Sequence, residues 1–304
     1  MGIFSFGKKK ETKVNTVTVE KKKTFGIAFA GGGGRGYAHI GALKALEEHH
    51  IQRANVVSGT SVGSIIGSAY ALGYRADEIY EYAKEVSIES FSYRGLLGID
   101  KISKLLDKDV RSKFFTISRD SETIEKIMLG FYGKKAFCNT LSDFYTNAVD
   151  LYTGKEVILS EGSIAKACRA SSSVPGVFTP TKIGDMLLVD GGVLNNMPAD
   201  IIRDKCDVLM GLDLYHDAYT PAKNDNTFEV LTSTVEILIG NARIRNHPIC
   251  DILVEPELDK FGAVQFDDDS KKRFYEEGYN AMQEMIPALK ELLKPELMVV
   301  ETKK

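Results

Sequence analysis

No apolar run in the 304-residue chain approaches the roughly 20 residues that a membrane-spanning helix needs, so no span is expected. The opening residues Met1 to Lys10 carry their charges after the apolar side chains, and no long apolar stretch follows, so no secretory signal is expected either. Cysteine is sparse. Cys138, Cys168, Cys206 and Cys250 are scattered without a C-x-x-C pair, which argues against a disulfide or zinc framework and predicts reduced, mostly buried thiols. No cluster of metal-ligand residues is apparent, and Asp267-Asp268-Asp269 lacks the spacing of a calcium loop, so it reads as helix caps or solvated surface. Neither metal nor cofactor is expected. A net charge of −3 gives no reason to expect a nucleic-acid partner. What remains is a globular protein, cytoplasmic by default.

Charge is distributed unevenly. Met1 to Thr24 holds seven Lys against two Glu, with Ile3, Phe4 and Phe6 just ahead of Lys8-Lys9-Lys10. Apolar side chains beside a lysine cluster suit peripheral contact with an anionic membrane. A disordered, solvated tail fits the same residues equally well. Phe6 breaks the myristoylation pattern.

After residues 1–23, read as a basic disordered tail, residues 24–304 read as one α/β domain. Thr24 to Ala30 is a short apolar run opening onto glycines, as a buried strand does. Gly31 to Gly36 is a glycine-rich turn, and Tyr37 to His50 places Ile40, Leu43 and Leu46 on one side of a helix. Asn55 to Ser58 is a second strand, followed by a sharp turn and an apolar helix from Val62 to about Leu72. This order opens a parallel α/β sheet. Residues of about 78–131 are charged and helical in pattern, an excursion suited to wall or cap a pocket. Strands are expected again at Phe144–Leu151, Val157–Leu159, Leu187–Val189, Val208–Leu214 and Ile252–Val254. A helix over Ser270–Leu293 closes the fold, with Asp268, Asp269 and Ser270 as possible N-caps.

Three segments carry chemistry. Gly59-Thr60-Ser61-Val62-Gly63, between strand and helix, has the form of a nucleophile elbow. Its glycines permit a sharp turn that leaves the Ser61 hydroxyl exposed, and the next helix directs its N-terminal amides at developing negative charge. Gly31-Gly32-Gly33-Gly34-Arg35-Gly36 allows successive amides to converge on an anion. It does not match the P-loop spacing, and beside an elbow an oxyanion is the better occupant. Arg35 either supports the loop or meets a substrate phosphate. Val189-Asp190-Gly191-Gly192 puts an aspartate at a strand end, where α/β folds place functional groups, although by itself a capping aspartate would explain it.

Together these segments resemble the bacterial patatin-like phospholipase family. Its ordered marks stand here as Gly31 to Gly36, Gly59 to Gly63, the run Arg169-Ala170-Ser171-Ser172-Ser173-Val174-Pro175-Gly176-Val177-Phe178, and Asp190-Gly191-Gly192 with Asn195 and Pro198. The agreement extends from about Phe25 to Asp200. The resemblance implies a three-layer α/β/α fold with a mainly parallel central sheet and an inserted helical cap. It also implies hydrolysis of fatty-acyl esters of phospholipids, lysophospholipids or related lipids by a Ser–Asp dyad without histidine. Ser61 matches the nucleophile, Asp190 the base, Gly32, Gly33 and Gly34 the oxyanion loop, and Arg35 its basic residue. Gly31, Gly36, Gly59, Gly63 and Gly191 match the motif glycines. Ala30 and Gly34 depart from the family's usual Gly and Ala, and neither change removes an amide donor. For the dyad to work, Asp190 must sit near Ser61 in a partly dry pocket that raises its pKa.

Other readings remain open on residues alone. A Ser–His–Asp triad would draw on one of five histidines, of which His39, in the loop-to-helix segment, reads more readily as a packed or solvated helix residue than as a base. An acyltransferase or thioesterase would use the same serine, and a lipid-binding membrane module would use none. Phe91, Leu96, Leu97, Ile99, Phe114, Phe115, Met128 and Phe131 are candidates for an acyl channel, or simply core.

Overall fold

In the computed structural model of the protein, the described residues are 14–85, 121–214, 227–258 and 267–303. The central strand is β2 (Phe25–Phe29), buried along its whole length. A strand buried on both faces belongs in the middle of a parallel sheet. Its neighbours are β3 (Val56–Gly59) and β8 (Val208–Leu212), both parallel to it. Beyond β3 lies β4 (Asp143–Asp150), and beyond β8 lies β9 (Ile252–Val254), again parallel. The far end of the sheet turns antiparallel through β5 (Lys155–Leu159), β6 (Thr181–Ile183) and β7 (Met186–Asp190). The eight strands run β6-β7-β4-β3-β2-β8-β9, with β5 on β4.

Alternation along β2 makes the layers unequal. Phe25, Ile27 and Phe29 face a large core filled by α1 (Tyr37–Glu48), α2 (Val62–Ala71), α3 (Ala76–Glu85), α4 (Glu122–Tyr132), α5 (Ile164–Ser171) and α7 (Asp268–Leu292). Ala28 and Ala30 face the other way and meet Met197, Ala199 and Ile202 in a smaller cluster. α6 (Thr227–Ile244) precedes β9. Helices α1 and α7 cross in backbone contact: a Cβ on Gly278 would lie 1.9 Å from the Ala38 carbonyl.

Several expectations are corrected. Part of the supposed disordered tail is a strand, β1 (Val14–Lys21), paired antiparallel with β10 (Glu296–Lys303) from Val14↔Lys303 to Lys21↔Glu296. Alternating Val and Thr provide the β-branched side chains for it. Residues 1–13, with the Lys8–Lys10 cluster, lie outside the described residues. The N-cap of α7 is Asp267, one residue before the expected set, accepting from the Ser270 amide at 2.9 Å. Cys138 is exposed, Cys206 and Cys250 are half-buried, and only Cys168 is buried. Of the excursion at 78–131, α3 and α4 are helical, and residues 86–120 lie outside the described residues, with Phe91, Leu96, Leu97, Ile99, Phe114 and Phe115 among them. Met128 is buried core, and Phe131 stacks on Tyr82 at 4.2 Å between ring centres. Among the described residues no helix is long and apolar enough to cross a membrane.

Candidate active site

Ser61 stands between β3 and α2 with φ 53° and ψ −125°, a left-handed conformation that a non-glycine residue adopts only when its surroundings impose it. Those surroundings are visible. A Cβ on Gly63 would fall 2.3 Å from the Phe29 carbonyl, and one on Gly59 would fall 2.3 Å from the Gly63 carbonyl, so the elbow is too tight for any larger residue at either place. Its amide donates to the buried Ser171 hydroxyl at 3.0 Å, while Ser64 Oγ donates to the Ser61 carbonyl at 2.6 Å. The side chain is left partly exposed at the N-terminus of α2.

Asp190 ends β7 and is buried, at 1% exposure. Oδ1 accepts the Gly192 amide at 2.7 Å. Oδ2 is buried too and makes no hydrogen bond of ordinary geometry. Burial raises the carboxyl to about 7, with the Ser61 hydroxyl and the Gly192 amide partly opposing the rise. The Ser61 effect and the open Oδ2 describe one situation: the hydroxyl is close enough to interact, without closing a well-formed bond. The Asp190 amide donates to the Ser173 carbonyl at 3.0 Å. Residues 171 to 173 therefore hold the backbones of both Ser61 and Asp190.

The glycine loop follows β2. Gly31 and Asn196 are bonded twice: the Gly31 amide donates to the Asn196 carbonyl at 2.9 Å, and Asn196 Nδ2 donates to the Gly31 carbonyl at 3.2 Å. Gly33 to Gly36 form a 3-10 turn, with the Arg35 amide on the Gly32 carbonyl at 3.2 Å. Among the described residues, the amides of Gly32, Gly33 and Gly34 take none of the carbonyls that build this turn. Gly33 is left-handed at φ 58° and exposed, at the open side of the loop. A Cβ on Gly36 would lie 2.3 Å from Val62, so loop and elbow pack directly against each other. Arg35 is 1% exposed and within electrostatic reach of Glu236 on α6, a placement that fits loop support.

Behind the dyad candidates lies a polar frame that sequence reasoning did not assign. Thr60 Oγ1 donates to Asn147 Oδ1 at 2.7 Å, and Asn147 Nδ2 donates to the Asn195 carbonyl at 2.9 Å. Asn195 Nδ2 in turn meets Glu156 at 2.9 Å and Asp200 at 2.8 Å. Gly191 lies against this frame, where a Cβ would sit 2.5 Å from Asn147 Oδ1. A polar Thr146-Asn147 pair within an otherwise buried strand was the available signal, since buried polar groups need partners.

His39 is not placed as a base. Its Nε2 donates to the Ala30 carbonyl at 2.8 Å inside the core, and burial lowers its pKa to about 4. His49 pairs with Gln283 and His247 with Asp213, while His216 lies outside the described residues. Asp213, His247 and Glu255 gather closely enough to resemble metal ligands, but the Arg243 guanidinium already occupies Asp213 and supplies the positive charge there.

Fold and motif geometry together define an α/β protein with a serine elbow facing a buried aspartate. A model of the patatin-like phospholipase family matches residues 27–203, and the chain belongs to that family. It is 28% identical over 274 residues to an uncharacterized NTE family protein of Mycobacterium bovis, covering 80% of this chain and 43% of that one. It is 24% identical to a lysophospholipase of Aspergillus fumigatus, over 88% of this chain and 18% of that protein. The chain thus spans less than half the length of these two relatives. In structure it resembles human GIVD cytosolic phospholipase A2 (TM-score 0.52, 12% identity, 90% of this chain and 60% of that one). It also resembles VipD of Legionella pneumophila (TM-score 0.50, 14% identity, 97% and 73%). At these identities the likeness concerns the fold.

Proposed function

We propose that the protein is a lipid acyl hydrolase in which Ser61 and Asp190 form the catalytic dyad. Asp190 Oδ2 takes the proton of Ser61 Oγ as that oxygen attacks the ester carbonyl. The amides of Gly32, Gly33 and Gly34 receive the oxyanion, each donor contributing about 3 kcal/mol to transition-state stability. The tetrahedral intermediate collapses, the C–O bond to the alcohol breaks, and Asp190 returns the proton to the leaving oxygen. Water then attacks the acyl-enzyme, giving its proton to Asp190 and releasing the fatty acid as Ser61 recovers its hydrogen.

One observation carries this reading: Asp190 keeps one buried oxygen unengaged beside the Ser61 hydroxyl, in a setting that raises its proton affinity to about 7. A solvated aspartate is too weak a base for the step, and one tuned near neutrality is suited to it. The lysophospholipase of Aspergillus fumigatus among the relatives supports a lipid ester as substrate. The test is product analysis on phospholipid, lysophospholipid and neutral-lipid esters, with fluorophosphonate labelling alongside. Native protein should release fatty acid and label at Ser61. Retention of both properties in Ser61→Ala and Asp190→Asn would refute the dyad.

A further inference from the structure

Helix α6 has two faces of opposite character. On one, Val230, Ile237, Leu238 and Ile244 are 48%, 44%, 49% and 50% exposed. With the exposed Thr234 and Asn241 they advance by threes and fours, so they share one stripe of the helix. The stripe carries no acidic side chain. Glu236 is half-buried beside the stripe, toward Arg35, and Arg245 stands exposed just past the helix end, paired with Asp200.

The inward side of α6 is tied to the site. It packs on the Gly191–Val193 turn that follows Asp190, and its buried Arg243 meets Asp213. One turn on, Asn246 Nδ2 donates to the Met197 carbonyl at 2.8 Å and to Asn195 Oδ1 at 3.0 Å. Leu194, next after that turn, is itself 39% exposed. One helix therefore supports both walls of the cleft, the Arg35 loop and the Asp190 turn, while presenting half-exposed aliphatic side chains outward. Four exposed aliphatic side chains gathered on one helix face, with only Thr234 and Asn241 among them, mark an interaction site.

We propose that α6 seats the protein on a phospholipid bilayer, with its apolar stripe in the interface and the Ser61–Asp190 cleft opening toward the lipid. The inference rests on the hydrolase reading for why lipid must reach the cleft. The charge pattern fits this partner: the stripe carries no carboxylate to repel phosphate headgroups, and Arg245 at its end offsets the Asp200 carboxylate it pairs with.

The chain contains no tryptophan, so Ile237→Trp introduces a single fluorophore at the centre of the stripe. With phosphatidylcholine vesicles, with or without phosphatidylglycerol, its emission should shift to the blue and be quenched by brominated acyl chains. An Ile237→Asp/Leu238→Asp variant should lose vesicle co-sedimentation and vesicle-lipid hydrolysis by about tenfold or more, since a charge replaces apolar burial at two sites. Hydrolysis of a soluble short-chain ester should stay near the native rate, which also reports that the variant has folded. Emission unchanged by both vesicle types overturns the proposal even if the aspartate variant is insoluble. So does a variant whose only change is loss of self-association, which would assign the stripe to a second copy. A native protein that hydrolyses no ester while the Trp variant still shifts would remove the hydrolase reading and leave the docking face standing. Intact short-chain hydrolysis with a silent fluorophore would do the reverse.

Discussion

Replacing Asp190 by Asn should make the protein more stable at alkaline pH while removing its activity. Folding carries this carboxyl from an ordinary value of 3.8 to about 7, because burial penalises the charged form. At 1.36 kcal/mol per pH unit, the buried anion is worth at most about 4 kcal/mol of destabilisation. Below about pH 4 both folded and unfolded chains hold the proton, and there is no penalty. Between about pH 4 and 7 the unfolded chain releases its proton while the folded chain keeps it, so stability falls as pH rises. Above about 7 both are ionised and the loss is complete. The Asn side chain carries no charge, and its Oδ1 still accepts the Gly192 amide that Asp190 receives at 2.7 Å. Urea unfolding of native protein and variant across this range isolates the effect, since the other titrating groups are common to both. The stability difference should open from near zero at about pH 4 to several kcal/mol at about pH 8, in the variant's favour. Parallel curves, or a variant that is the weaker at alkaline pH, would refute the assignment of a dry, proton-retaining Asp190.

The same carboxyl should give kcat/KM an acid limb near pH 7, rising with pH as Asp190 ionises; a limb near pH 4 would show a solvated base. Ser171→Ala removes the acceptor of the Ser61 amide and should cost about 1–3 kcal/mol in unfolding assays, with a fall in kcat larger than any change in KM. Ser171→Thr, which keeps the hydroxyl, should restore part of that kcat. Gly278→Ala drives a methyl group into the Ala38 carbonyl and should lower stability by about 3 kcal/mol in thermal or urea unfolding, without moving the pH profile.

The site was legible where chemistry and space dictate residue type. Gly59 and Gly63 can be nothing larger because carbonyls lie against them, so the elbow surfaces as a pattern. Asp190 surfaces through the two glycines after it, one of which supplies the amide at Oδ1. The braces did not surface, because a hydroxyl at Ser171 or an amide at Asn147 gains meaning only from a partner many residues away. The parallel strands were readable from their apolar runs, whereas β1 was not: its partner lies at the other end of the chain, and the lysines on either side of it resemble a solvated tail. The N-cap of α7 lies one position before the expected set because Asp267, Asp268, Asp269 and Ser270 have similar capping propensity, and only the bond to the Ser270 amide separates them.

The β1–β10 ribbon governs how the lysine-rich segment can be interrogated. Deleting residues 1–24 would remove the charges and also strip β10 of every hydrogen-bonded partner from Val14 to Lys21. The orphaned strand would then offer its open edge to other molecules, and stickiness or precipitation would be mistaken for an effect of charge. Substituting Lys8, Lys9 and Lys10 by Gln leaves the ribbon whole and asks the electrostatic question alone. Truncation harms the ribbon only where it passes Lys13; a cut that stops there removes the cluster with all of β1 retained.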